Sequence, residues 1–136
     1  MHLMHTMFRV VDPARSVKFY TEALGMTLLR QHDFEEARFS LYFLGYGGER
    51  DHSIIELTHN WDTGSYEQGT AYGHIAIQCD DLLQTVERVR QSEGEVAVEP
   101  KKMKGGPVMA FAKDPDGYMI ELLGADVFDE LDKGFG

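Results

Sequence analysis

Two periodicities follow one another along this chain, and they recur in the same order in its second half. Residues 5–10 (HTMFRV) alternate apolar and polar with the two-residue period of a strand, and Asp12-Pro13 then predicts a helix start, with Asp as N-cap and Pro at the first helical position. Val17, Tyr20 and Leu24 fall on one helical face, and Gly25 supplies a C-terminal stop. Strand-like stretches follow at 26–34, 37–46 and 53–58, with Gly45, Gly47 and Gly48 breaking the last connection. The second half opens with HIAIQC from His74. Asp81 then caps a segment whose Leu82, Val86 and Val89 share a face, and Gly94 is the expected stop. Further strand-like stretches lie at 95–99, 107–112 and 118–123, the last two separated by the turn Asp114-Pro115-Asp116-Gly117.

The recurrence has a fixed offset. His5 and His74, Asp12 and Asp81, and Gly25 and Gly94 are each 69 residues apart, while Ile55-Glu56-Leu57 and Ile120-Glu121-Leu122 are 65 apart. Two copies of so long a period exclude a solenoid and indicate a tandem duplication. The expected fold class is α+β: one domain over 1–136 made of two βαβββ modules, about 1–60 and about 74–123, joined by a linker at about 60–73, with an acidic tail at 124–136. A four-stranded sheet with one helix leaves a broad face that a second module covers, so the cleft between paired modules is where chemistry is expected. Patterning leaves open whether modules pair within one chain or between two.

Composition narrows the function classes. With 136 residues, 43% apolar and 26% charged, the chain reads as a folded globule rather than a disordered or fibrous protein. Thirteen basic against 23 acidic side chains give a net charge of −10, which counts against nucleic acid or an anionic membrane as partner. No stretch approaches the ~18 apolar residues of a membrane span. The single Cys79 forms no internal disulfide and MHLMHTMFRV lacks a secretory apolar run, so a reducing cytoplasm is expected.

The duplication also repeats titratable residues. His5 and Glu56 in one half match His74 and Glu121 in the other, each inside an otherwise apolar strand. A carboxylate between Ile and Leu on a strand is costly unless paired. Two imidazoles and two carboxylates form an N₂O₂ set of charge −2 that a divalent cation neutralises. Strand parity places Arg9 beside His5, and Thr58 and Asn60 beside Glu56, so a guanidinium and an amide flank the donors. That suggests an anionic, peptide-like substrate, with Lys104 in the flexible run MKGG as a second cation. Cys79 shares the face opposite His74 and reads as a core thiol. His2, His32, His52 and His59 have no duplicated partner and read as surface or linker side chains. Core packing is the expectation for most of Trp61, Tyr72 and the methionines, and ADVFDELDKGFG reads as a solvated end.

HTMFRVVDPARSVKFYTEALGM, ELTHNW, GTAYGHIAI, MKGG and DPDGYMIEL together resemble the lactoylglutathione lyases (glyoxalase I) of the vicinal-oxygen-chelate superfamily, from about residue 3 to residue 123. The resemblance implies a homodimer whose metal site, at the subunit interface, takes His5, Glu56, His74 and Glu121 from both chains. Glu121 would be the base that moves a proton from C1 to C2 of the methylglyoxal–glutathione hemithioacetal, through an enediolate, to give S-D-lactoylglutathione. Arg9, Asn60, His74 and Lys104 would contact that substrate. Longer eukaryotic relatives have an Arg before GHI where this chain has Thr70-Ala71-Tyr72, and they prefer zinc. The short bacterial type, which this chain resembles, prefers Ni²⁺ or Co²⁺ over Zn²⁺, in keeping with an octahedral site that leaves two positions open. Four matched ligands count against an iron dioxygenase with a three-residue triad, and the Arg9/Asn60/Lys104 set counts against an acyl-CoA epimerase. A drug-sequestering protein of the bleomycin-resistance kind would need no ligands.

Overall fold

Each half of the chain builds a four-stranded mixed sheet of identical connectivity. In the computed structural model, which describes residues 1–134, β1 (His5–Arg9), β2 (Thr27–Phe34), β3 (Phe39–Gly45) and β4 (Ile54–Asn60) order as β1-β4-β3-β2. The strands β5 (Ile75–Gln78), β6 (Glu95–Lys102), β7 (Val108–Lys113) and β8 (Met119–Leu123) order as β5-β8-β7-β6. In both sheets the outer first strand runs parallel to the last, and the remaining neighbours are antiparallel. The βαβββ plan therefore occurs twice, in an α+β fold, with one packed unit spanning Met1–Gly69 and the other beginning at Thr70.

The predicted helix starts form as expected. Asp12 accepts from the Arg15 N–H at 3.2 Å to cap α1 (Pro13–Lys18), and Asp81 accepts from the Gln84 N–H at 3.0 Å to cap α2 (Leu82–Arg90). Of the two expected stops, Gly25 acts as one and Gly94 does not. After α1 the chain continues as a π-helical turn over Phe19–Ala23, where the Leu24 N–H donates to the Phe19 carbonyl five residues back, 3.3 Å away. The extra residue in that turn rotates the face: Ser16, Phe19, Tyr20, Ala23 and Leu24 are buried, and Val17 is only half-buried. Gly25 then reverses the chain with φ +71°. In the second unit Gly94 does not end the helix. Gln91 does so in a right-handed conformation, and the Gly94 N–H donates to the Ser92 hydroxyl at 3.0 Å.

Two boundaries also move. β6 extends past the expected 95–99 through Pro100 to Lys102, which is tolerated because β6 is an edge strand with no second neighbour to receive the missing N–H. The acidic end is not wholly solvated: Val127–Asp132 forms α3, with Val127 buried and the Lys102 ammonium 3.0 Å from Asp126 and 3.3 Å from Glu130. The last two residues of that predicted tail, 135 and 136, lie outside the described residues.

Burial follows strand parity. Phe8 on β1, Val10 just after it, and Ile55 and Leu57 on β4 are buried, while His5, Met7 and Arg9 are exposed and Glu56 and Thr58 half-buried. In the second unit Ile120 and Leu122 are fully buried on either side of Glu121, and α2 packs its buried Leu82, Thr85, Val86 and Val89 face over β6 and β7. Each sheet thus has an apolar face turned to its own core and a more polar face. No described helix is long and apolar enough to cross a membrane.

Candidate functional site

In the first unit the strand register lines up four side chains across the polar face. Met7 on β1 stands opposite Glu56 on β4, Glu56 opposite Phe43 on β3, and Phe43 opposite Arg30 on β2. His5 reaches into this row, with Nε2 2.8 Å from the Glu56 Oε2; the two side chains are 39% and 14% exposed. The His5 ring meets Phe43 edge-on, with centroids 6.1 Å apart. On the other side of Phe43 the Arg30 guanidinium lies 3.6 Å from the ring centroid, and its Nε and Nη2 donate to the two carboxylate oxygens of Glu49 at 2.8 and 3.0 Å. That pairing holds the Glu49 carboxyl below its ordinary range.

The second unit repeats the pair. Ala76, Glu121, Phe111 and Val98 form the corresponding row across β5, β8, β7 and β6. His74 Nε2 is 3.1 Å from Glu121 Oε2, and the side chains are 42% and 18% exposed. The His74 ring meets Phe111 edge-on at 5.3 Å. Sequence reasoning found the His and Glu of each pair but missed the aromatic. Phe43 and Phe111 are 68 residues apart, so an aromatic on the strand before each Glu was the available signal. It also missed Arg30, which has no counterpart in the second unit.

The donor chemistry fits a divalent cation. Two ligands ~2.1 Å from one ion stand about 3.0 Å apart at a right angle and about 3.4 Å apart at the tetrahedral angle. The observed 2.8 and 3.1 Å separations bracket the right-angle value. As a hydrogen bond, the same contact also satisfies a mostly buried carboxylate. Imidazole nitrogen with carboxylate oxygen suits first-row ions of intermediate hardness. Among the described residues no three His, Cys, Asp or Glu side chains converge, so each unit offers two donors of its own.

The other singled-out residues separate into two groups. Arg9 lies opposite Thr58 on the polar face of the first sheet, and Asn60 ends β4 with Nδ2 donating to the Tyr66 hydroxyl at 3.1 Å. Lys104 is exposed on the β6–β7 turn, followed by Gly105 at φ +70°. The rest are structural. The Tyr72 hydroxyl donates to the Met119 carbonyl at 2.9 Å, and burial together with the Asp114 charge pushes its pKa up to about 12. Trp61 Nε1 donates to the Ser40 hydroxyl at 2.9 Å. Cys79 is buried, which raises its thiol, as fits a core position rather than a nucleophile. His32 packs edge-on against Phe34, and the His52 ring fills the space beside Gly47, leaving no room for a Cβ there.

This pairing of repeated βαβββ units with repeated His–Glu pairs has relatives. The sequence profile of the Glyoxalase/Bleomycin resistance protein/Dioxygenase superfamily matches residues 2–122. A lactoylglutathione lyase of Escherichia coli O157:H7 is 50% identical over 137 residues, covering 100% of this chain and 98% of that protein. One from Neisseria meningitidis serogroup A is 52% identical over 124 residues, 90% of each chain. Among solved structures, the trypanothione-dependent glyoxalase I of Leishmania major superposes with a TM-score of 0.86 at 43% identity, covering 98% of this chain and 94% of that one. Zea mays glyoxalase I gives 0.85 at 43% identity over 89% of this chain, which spans only 43% of the maize chain. With the profile running through both modules and half of all positions shared end to end with a relative, the chain belongs to the Glyoxalase/Bleomycin resistance protein/Dioxygenase superfamily.

Proposed function

We infer that this chain is an enzyme with lactoylglutathione lyase activity: it converts the hemithioacetal of methylglyoxal and glutathione to S-D-lactoylglutathione. The observation that carries the reading is the twice-built His–Glu pair in a chain half identical, end to end, to a lactoylglutathione lyase. The reaction is an isomerisation. The C1 hydrogen leaves as a proton and returns to C2, while the hydroxyl proton passes from the C1 oxygen to the C2 oxygen, so the C1 hydroxyl becomes the thioester carbonyl, the C2 carbonyl becomes a hydroxyl, and no external oxidant or reductant is needed.

Members of this family use a divalent metal. His5, Glu56, His74 and Glu121 are the residues to hold it here, in a homodimer whose sites draw ligands from both chains. When bound, the cation supplies positive charge beside the two vicinal oxygens on which negative charge develops. Glu121 takes the C1 proton and returns it to C2, a step for which a positioned carboxylate contributes ~10²–10⁴-fold. His74 stands beside that carboxylate and borders the substrate. Arg9 offers a fork to a substrate carboxylate. Asn60, its nitrogen engaged by Tyr66, offers its amide oxygen to a peptide N–H. Lys104 brings a second cation on a glycine-supported turn. Thr70-Ala71-Tyr72 supplies no cation before His74, so carboxylate recognition falls on Arg9 and Lys104.

Ni²⁺ is the metal this donor set favours, with Co²⁺ next and Zn²⁺ behind. Four protein ligands with two positions left for the substrate's vicinal oxygens make six, which suits an octahedral ion, whereas four-ligand zinc prefers a closed tetrahedron. Detoxification of methylglyoxal in the cytoplasm is the corresponding physiological role. The test is reconstitution: strip the protein with chelator, add back nickel or zinc, and follow thioester formation from the hemithioacetals of glutathione and of trypanothione. Turnover of the glutathione adduct with nickel and little with zinc is expected. Equal rates with zinc discard the metal preference, a preference for the trypanothione adduct discards the thiol, and no turnover with any divalent ion overturns the activity.

A further inference from the structure

We propose that Arg30, fastened by Glu49, is a positioning residue: it caps Phe43 and so braces the ring against which His5 stands, making the His5–Glu56 pair the rigid anchor for the metal while the His74–Glu121 pair stays free to move. The proposal rests on the metal reading given above for these two pairs.

Four observations carry it. Arg30 sits opposite Phe43 in the strand register, in the row that contains Glu56. Its guanidinium covers the ring at 3.6 Å, a separation at which the cation and the ring face attract. Its two forked bonds to Glu49, 2.8 and 3.0 Å long, fix the plane of the guanidinium as one contact would not. The duplication then supplies an internal control. At the matching place opposite Phe111 stands Val98, which has neither charge nor reach. Phe43, although on the polar face, is 4% exposed and buried, whereas Phe111 is only half-buried.

Glu49 has a second role. A lone guanidinium two strands from Glu56 would repel an incoming divalent cation and attract the Glu56 carboxylate away from it. Because Glu49 lies on the β3–β4 connection and engages both nitrogens, Arg30 contributes planar area and little net charge. A base that takes and returns a proton gains from freedom that a metal anchor does not need, so bracing one pair alone fits a division of labour between them.

Direct Co²⁺ titration of the chelator-stripped protein tests this, read by the visible absorption of the bound ion and by competition with a chelator. Arg30→Val, which copies the second unit, is expected to lower cobalt affinity about tenfold, the range seen when groups that orient metal ligands are removed, and to change the band shape. Arg30→Lys keeps the charge without the planar fork and should not restore binding. Glu49→Gln, milder for folding, should give an intermediate loss that shrinks in high salt. Wild-type affinity and spectrum in folded Arg30→Val, or full rescue by Arg30→Lys, overturn the proposal. If the wild type itself binds no cobalt, the metal reading fails as well, so the two failures are distinguishable.

Discussion

The His5–Glu56 pair on β1 and β4 and the His74–Glu121 pair beside β5 and β8 have nearly the same separation, 2.8 against 3.1 Å, and the same edge-on aromatic. Their surroundings have diverged. The first pair has Arg30, Glu49 and Met7 around it and continues along its strands to Arg9 and Asn60; at the places matched by the duplication the second has Val98 and Ala76, then Gln78 and Ala125. The duplication has kept the His–Glu pair and its aromatic neighbour in both modules and has changed the residues around them. Arg9, Asn60 and Arg30 lie on the first module only, and Lys104 on the second only, while the two carboxylates remain about equally covered, 14% and 18% exposed.

The largest test of that asymmetry is in the carboxylates. Glu121→Gln should lower kcat by ~10²–10⁴-fold with metal content retained, because removal of a general base acts on the chemical step. Glu56→Gln should instead lose bound metal, with activity recovering in part as nickel is raised. Metal analysis and kcat on the same preparations decide the matter. Equal losses at equal metal content break the comparison and remove Glu121 as the distinguishing base.

Next comes the packing beneath each site. Leu57 and Leu122 follow Glu56 and Glu121 directly, and both are completely buried. Truncating either to Ala leaves a cavity in a closed core and should cost ~2–5 kcal/mol in urea unfolding. Similar costs would sharpen the view that the two sheets remain equivalent below their polar faces. A near-neutral result at one position would show that the repeat has drifted in its core too.

Most of this equivalence was legible in the sequence because it depends on period. Alternation around His5 and Glu56 fixes which residues share a face, and the fixed offset carries that reading to His74 and Glu121. Turn and cap signals worked where a side chain acts on its own backbone, as at Asp12 and Asp81. They failed where the outcome depends on packing or on a neighbouring strand. The π-helical turn at Phe19–Ala23 follows no residue preference and is held by its fit to the core. Gly94 looked like a stop, but a helix needs no glycine when it ends right-handed at Gln91. Arg30 was invisible because its role depends on β2 pairing with β3 and on Glu49 nineteen residues away. Lys102, Asp126 and Glu130 meet across more than twenty residues, which composition cannot foresee.

The helix caps offer a smaller matched pair. Asp12→Ala and Asp81→Ala each remove the side-chain acceptor of a first-turn N–H and should each cost about 1 kcal/mol. The Asp12 helix has Pro13 to preset its first turn, while α2 has Leu82 at that place, so the loss at Asp81 should be the larger. Thermal unfolding of the two variants checks the order. A larger loss at Asp12 would mean that the π-helical turn makes α1 the more fragile helix.

The smallest expected effect lies where the second unit has something the first lacks, the C-terminal α3. The Lys102 ammonium and the Val108 N–H hold the Asp126 carboxyl below its ordinary range, and Lys133 and Lys102 do the same for Glu130. A carboxyl lowered in the folded state stabilises α3 at pH values above its unfolded pKa of about 4, and that contribution is lost as the pH falls through the folded value. These groups tie only α3 to the edge strand β6 and the start of β7, so only α3 should respond, without global unfolding. Hydrogen exchange of the amides of residues 127–132 should therefore accelerate, relative to the intrinsic rate, as the pH drops below about 4, and with added salt at neutral pH, while the amides of β4 and β8 stay protected. Lys102→Met should show the fast exchange already at pH 7. If α3 is equally protected in that variant, buried Val127 alone holds the helix and the charge contacts are incidental.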